Sequence, residues 1–230
     1  MSTKIPPRTR AAVVAGKAAG VVSRASGRGE GLIIGGKVIM RLSPQAMRDL
    51  AGDRVAALVS ATNGKTSTTR LLAAAVSQQG PVVTQPTGAN MTDGVLSALA
   101  HGTPEALAVL EVDEAYLPRI LPAARPQALL LGALTRDQLD RMNEVAMVAR
   151  NWRAMLESVP DRTTVVVNCD DPIATWSAWR APRVIWVAAG QNWTADASVC
   201  LECGALMRFD ADGWGCTSCS FARPTPRWRF

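Results

Sequence analysis

Between Arg54 and Ala188 the chain repeats one pattern: a short apolar run, a turn, a helical stretch, then another apolar run. "RVAALVS", "PVVT", "LAVLEV", "ALLLGAL", "TTVVVN" and "RVIWVA" read as strands, apolar enough for burial on both faces. "KTSTTRLLAAAVSQQG", ending on Gly80, "DGVLSALAHG" and "DPIATWSAW" read as helices, as does the run from Asp137 to about Val159, stopped by Pro160. Strands separated by helices predict an α/β chain whose parallel sheet is covered on both faces. Ligands of such sheets sit beyond the carboxyl ends of the strands, so the chemically informative residues are expected just after each strand.

With 230 residues, 48% hydrophobic and 19% charged, the chain can bury one sizeable core and a small appendage, which excludes a disordered class. A net charge of +6 favours acidic partners without selecting one. No apolar run is long enough to span a bilayer. "AAVVAGKAAGVV" follows a basic N-terminus, but Lys17 interrupts it and no small-residue cleavage site follows, so it reads as a helix rather than a signal peptide. Arg10, Lys17 and Arg24 recur every seven residues on one face, and Val14, Ala18, Val21 and Ala25 line another. A solvated basic face is the plain reading; contact with an anionic membrane surface is the sharper one. "SGRGEGLIIGGK" reads as a connection, which divides the chain into a helix and connection over 1–53 and a domain over 54–230.

The first strand runs into "VSATNGKTSTTR", residues 59–70. A full G-x-x-x-x-G-K-[ST] loop would need glycine where Val59 stands, but Gly64-Lys65-Thr66 keeps the half that carries the chemistry. Gly64 lets backbone N–H groups approach phosphate, Lys65 supplies a point charge, and Thr66 offers a hydroxyl to Mg²⁺. A lysine at an ordinary helix start would oppose the helix dipole, so nucleotide binding is the better reading.

Acidic and polar clusters follow the later strands: "PTGANMTDG" (86–94), "EVDEA" (111–115), "RDQLDR" (136–141) and "NCDDP" (168–172). Taken singly, an acidic cluster after a strand also starts helices, and "NCDDP" could simply cap the helix opening at Pro172. Near the C-terminus, Cys200, Cys203, Cys216 and Cys219 form C-x₂-C, twelve residues, C-x₂-C. Each pair supplies two thiolates from one knuckle, and Gly204 suits the turn. All four positions are sulfur, so a closed, structural zinc ribbon is expected at about 198–222, and reduced cysteines place the chain in the cytoplasm. Cys169 reads as a small packed residue.

"ATNGKTS" resembles the shortened G-T-N-G-K-T-[ST] loop of the ATP-dependent Mur ligases, with Ala61 in place of the first glycine. Alanine is tolerated there only at negative φ. "TGANM", "EVDEA", "RDQLDR" and the ribbon followed by "RPTP" resemble the MurT branch of that family, from about Arg28 to Pro226. Departures are Ala133, where the branch has asparagine, and Met142-Asn143, where it usually has Tyr-Gly. The resemblance implies the Mur ligase central domain with an inserted zinc ribbon. It implies ATP at Thr62, Asn63, Gly64, Lys65, Thr66 and Ser67, with Asn168 at the adenine and Asp171 nearby. Lys65 and Glu111 become the catalytic pair, and Thr66 and Glu111 the magnesium ligands, although the sequence leaves open which of Glu111, Asp113 and Glu114 reaches the metal.

By the same resemblance, the activity is amidation of the D-glutamate α-carboxylate in the lipid II stem peptide through an acyl phosphate. The ammonia comes from a GatD-type glutaminase, the partner subunit, and lipid II is met at the inner membrane face. Mur ligases close a C-terminal domain over the ATP site, and the expectation is that a chain ending at Phe230 lacks that lid. The alternative reading is a non-catalytic nucleotide- or nucleic-acid-binding module built on the ribbon and "FARPTPRWRF"; the ligase reading needs no nucleic acid.

Overall fold

The structure is a computed structural model that describes residues 5–27, 31–136, 142–190, 194–211 and 213–230. Its chain divides into two compact units, Met1–Val59 with Lys65–Gln127, and Ser60–Gly64 with Ala128–Phe230. The division therefore does not follow a break at 53/54: the N-terminal segment belongs to the first unit.

In the first unit β3 (Leu107–Glu111) lies between β1 (Val55–Ser60) and the two-residue β2 (Val82–Val83), all parallel. Register runs Val83 opposite Ala108 and Val59 opposite Glu111, which brings the end of β1 level with the Glu111 carboxylate. Leu58, Val109 and Leu110 are buried, as expected for strands covered on both faces. Helices α4 (Lys65–Val76), α5 (Thr92–His101) and α6 (Leu117–Ala124) complete the crossovers. The sequence pattern does not announce α6, because Pro118 and Pro122 read as breakers. Pro118 occupies the first turn, where its missing N–H is no loss, and Leu117, Ile120, Leu121 and Ala124 are buried. Burial of that face outweighs the defect at Pro122.

The N-terminal segment corrects the expectation of one helix and a connection. It forms three helices, α1 (Pro7–Ala25), α2 (Leu32–Leu42) and α3 (Ala46–Ala51), so the glycine-rich stretch is helix from Leu32 onward. Its glycines serve close packing. A Cβ on Gly16 would lie 2.7 Å from the Gly35 carbonyl oxygen, one on Gly20 2.9 Å from that of Gly31, and one on Gly36 2.0 Å from that of Asp93 in α5. Thr9, Ala12, Gly16, Gly20 and Ser23 are the buried face of α1, while Val14, Ala18, Val21 and Ala25 are exposed.

The second unit carries the parallel strands β4 (Ala128–Leu131), β5 (Thr164–Asn168), β6 (Val184–Ala188) and β9 (Trp228–Arg229), hydrogen-bonded in that order. Helices α7 (Met142–Glu157) and α8 (Pro172–Ala178) pack on each other, with Trp152, Leu156 and Ile173 buried. Residues 137–141, part of the predicted helix and of "RDQLDR", lie outside the described residues. A small antiparallel hairpin, β7 (Met207–Asp210) and β8 (Gly213–Cys216), belongs to the cysteine-bearing segment.

Candidate functional site

The loop after β1 is built to hold its shape. Gly64 has φ 79°, and nothing lies within 4 Å of where its Cβ would be, so the turn demands glycine and leaves open space beside it. Arg125 alone among the described non-glycine residues has positive φ, so Ala61 sits in ordinary backbone and its departure from glycine costs no strain. Its methyl is accommodated by Gly132, whose Cβ would come within 2.7 Å of the Ala61 Cβ. Thr62 is tied both ways to the segment after β4. Its N–H donates to the Ala133 carbonyl at 2.9 Å, and its Oγ1 donates to the Thr135 carbonyl at 3.1 Å and accepts from the Thr135 N–H at 3.0 Å. Ala133 thus contributes through its backbone, which any residue there could supply. Asn63 is exposed.

Lys65 opens α4. In the first unit its Nζ lies 3.0 Å from Glu114 Oε2, and both side chains are mostly buried, at 12% and 19% exposure. Thr66 is half-buried in the same first turn and Ser67 is exposed. The three acids after β3 separate into three roles. Asp113 accepts the Ala115 N–H at 3.0 Å and shapes the turn, Glu114 pairs with Lys65, and Glu111 is buried at the strand end. Asn90 Nδ2 donates to Glu111 Oε1 at 3.2 Å. Gln85 clamps the Glu111 backbone, its Nε2 donating to the carbonyl at 2.6 Å and its Oε1 accepting the N–H at 3.0 Å, as a further strand would. Sequence reasoning assigned no role to Gln85 or Asn90; the signal was polar residues bracketing "PTGA", immediately after a strand.

Buried glutamate and threonine hydroxyl are hard oxygen donors, the chemistry Mg²⁺ takes. The open left-handed turn before Lys65 suits a phosphate. Residues and ligand classes therefore fit.

In the second unit, Asn168 ends β5, and its Oδ1 accepts the Asp170 N–H at 3.1 Å. Asp171 has no exposed surface. Its Oδ1 accepts the Ile173 N–H at 2.8 Å and caps α8, while its Oδ2 accepts the Leu134 N–H at 2.6 Å. Burial pushes its carboxyl up to about 6 against the opposing pull of these N–H donors. Asp171 therefore braces the turn from within; it offers no atom at the surface to a ligand. Cys169 is fully buried and burial pushes its thiol up, which makes it a packed residue and a poor nucleophile.

The four cysteine sulfurs lie within 4.8 Å of one another, with Cys200 to Cys219 at 3.8 Å and Cys203 to Cys216 at 3.4 Å. Tetrahedral zinc with Zn–S of about 2.3 Å asks for sulfur separations of about 3.8 Å. Ser218 and Cys219 N–H groups point at Cys216 Sγ at 3.3 and 3.4 Å and draw its thiol down to about 6, favouring the thiolate a metal needs. Gly204, at φ 81°, donates to the Cys200 carbonyl and closes the other knuckle. The ribbon is anchored on its own unit. Glu202 accepts from Arg153 at 2.9 Å and from the Trp176 indole at 2.8 Å, with the Arg153 guanidinium 4.1 Å above the Trp176 ring. Arg223 pairs with Asp170 at 2.6 Å, and Trp214 donates to the Cys169 carbonyl at 2.9 Å. The tail proposed above as a nucleic-acid feature thus gives Arg223 to an ion pair and Trp228–Arg229 to the sheet edge.

Comparison with known proteins places this architecture. The family described as Mur ligase middle domain matches residues 59–199. A Streptococcus pneumoniae protein named lipid II isoglutaminyl synthase (glutamine-hydrolyzing) subunit MurT is 28% identical over 94% of this chain and 52% of its own length. The Staphylococcus aureus protein of the same name is 28% identical over 84% of this chain and 46% of its own. The chain thus spans about half the length of these relatives. Among solved structures, MurF ligase from Thermotoga maritima in complex with ADP superposes with a TM-score of 0.56 at 15% identity, over 68% of this chain and 37% of that one. MurF from Acinetobacter baumannii gives 0.54 at 15% identity, over 66% and 35%.

Proposed function

Because the chain belongs to the Mur ligase family through its middle domain, we propose that it is the ATP-binding part of an ATP-dependent carbon–nitrogen ligase of peptidoglycan synthesis. One observation carries the reading: β1 leads through a left-handed Gly64 straight into Lys65 at the start of α4, with a buried Glu111 at the end of the neighbouring strand.

In this reading Thr62 fixes the loop through Ala133 and Thr135, backbone N–H groups from Asn63 to Thr66 and the Lys65 ammonium receive the ATP phosphates, Ser67 supports them, and Asn168 meets the adenine. Glu111 and Thr66 hold Mg²⁺, which when bound neutralises charge on the phosphates. Asn90 orients Glu111 by its hydrogen bond. A carboxylate is a poor electrophile until phosphorylated. Its oxygen attacks the γ-phosphorus and ADP leaves; ammonia then attacks the acyl carbon, phosphate leaves, and a proton is lost to give the amide. Lys65 keeps the reacting phosphate in line and stabilises the developing charge. The substrate proposed is the D-glutamate α-carboxylate of the lipid II stem peptide, with ammonia from a GatD-type glutaminase subunit and a cytoplasmic site facing the membrane. The relatives' shared name as a subunit supports a partner chain.

The test is a calorimetric titration of Mg-ATP into the chain and into Lys65→Ala. Saturable binding weakened about tenfold or more by the substitution is expected. Equal binding by both proteins, or RNA or DNA binding with a steep salt dependence in place of ATP binding, would overturn the reading.

A further inference from the structure

The chain's net positive charge comes from residues 1–48. Residues 1–48 carry nine Lys and Arg against one acid, a net of +8, whereas residues 49–230 carry 16 against 18, a net of −2. Seven of the fifteen large apolar side chains exposed among the described residues lie in the same stretch. Among the described residues, Val14, Val21, Val22, Ile33, Ile34 and Met40 are all exposed, Val22 to 67%.

The two properties share surfaces. At 100° per residue, Val14, Ala18, Val21 and Ala25 lie opposite the buried Thr9, Ala12, Gly16, Gly20 and Ser23, with Arg10, Lys17 and Arg24 flanking them. On α2, Gly35, Gly36 and Ile39 face inward, which turns Ile34, Lys37 and Arg41 outward with Ile33 beside them. A water-facing helix normally turns its apolar stripe to the core. Here glycine takes the core side and the apolar stripe faces out between cations. No helix among the described residues is long and apolar enough to cross a membrane.

The two ends of this helix pair differ. Near the start of α1, Arg10, Val14 and Lys17 border a cleft of about 630 Å³ whose other wall carries Asp49, Asp53 and Glu105. Those acids repel an anionic surface. The turn end, where Gly20 meets Gly31, presents Val21, Val22, Ile33 and Ile34 beside Arg24 and Lys37. Nucleic acid would reward the cations and leave the valines and isoleucines in water. An anionic bilayer takes both, headgroups on the cations and the acyl boundary on the apolar side chains.

We propose that the α1–α2 pair is a docking surface for an anionic phospholipid bilayer, entered by Val21, Val22, Ile33 and Ile34 at its turn end. This deepens the reading of a lipid-linked substrate and rests on it for its purpose, but it is tested apart from it.

The experiment is cosedimentation of the chain with vesicles of phosphatidylcholine alone and of phosphatidylcholine with about 30% phosphatidylglycerol, where binding about tenfold tighter to the anionic vesicles is expected. Arg24→Glu with Lys37→Glu should remove that preference. Ile33→Ser with Ile34→Ser should weaken vesicle binding about tenfold while leaving retention on heparin unchanged. All four positions are exposed, so the variants should keep the wild-type circular dichroism. Equal binding to both vesicles, no binding, an isoleucine variant that binds like wild type, or displacement from vesicles by duplex DNA would each overturn the proposal. The Mg-ATP titration on the same preparations separates the two readings: nucleotide binding without vesicle binding removes the docking surface and leaves the ligase.

Discussion

Asp171 and Gly132 are residues whose roles can be read at single atoms. Removing the Asp171 carboxylate strips a helix cap and orphans the buried Leu134 N–H, so Asp171→Ala should cost about 2–4 kcal/mol in urea unfolding. Its folded pKa, about 6, lies above the ordinary 3.8. The unfolded chain then gives up this proton first as pH rises, so the group's contribution is full below 3.8 and is lost as pH climbs through about 6. The stability of wild type relative to Asp171→Asn should therefore fall across that window and level off above it; a relative stability that rises with pH would contradict the assignment. Gly132→Ala would bring its methyl within 2.7 Å of the Ala61 Cβ. A loss of about 1–3 kcal/mol is expected, largely restored by adding Ala61→Gly, and additive losses in that double-mutant cycle would show the contact to be unimportant.

Two elements depend on features that helix and strand propensity do not weigh. The α1–α2–α5 packing needs hydrogen atoms where side chains would stand, and Gly36→Ala meets the Asp93 carbonyl oxygen at 2.0 Å. This substitution should cost about 3 kcal/mol or more and lower the melting temperature, whereas Ala18→Ser on the exposed face should stay within about 0.5 kcal/mol. The i, i+4 glycines Gly16 and Gly20, and Gly31 and Gly35, were legible as pairs of small residues. Only their meeting in space distinguishes a packing face from a flexible connection. The ribbon depends on metal instead of core. One zinc per chain is expected by native mass spectrometry; Cys216→Ser should abolish it and lower the melting temperature. A protein that melts unchanged without zinc would show the hairpin to be held by Glu202, Arg223 and Trp214 alone. The C-x₂-C spacings were fully readable because a knuckle is closed within four residues. The Glu202, Arg153 and Trp176 anchor was not, because it joins residues 26 and 49 positions apart.

Across the whole molecule, the residues proposed for nucleotide chemistry and those that hold the fold are largely different, which makes the two separable by experiment. Lys65→Ala should weaken Mg-ATP binding about tenfold or more while keeping zinc content, with at most about 1 kcal/mol lost with the Glu114 ion pair. Cys216→Ser should lose zinc first. If Lys65→Ala unfolded the chain, the lysine would be a structural residue and the nucleotide assignment would lose its support. The order of the strands between Arg54 and Ala188, the Gly64-Lys65-Thr66 turn and the four-cysteine framework were determined by the sequence alone, since each rests on requirements satisfied within a few neighbouring residues: burial period, a positive φ, the reach of two thiolates. Tertiary structure decided which acid after β3 turns toward Lys65 and which is buried beside Asn90. It also made Asp171 an internal brace and sent the apolar stripe of α1 outward while its glycines faced in. Those outcomes depend on partners distant in the chain, whose approach no local pattern encodes.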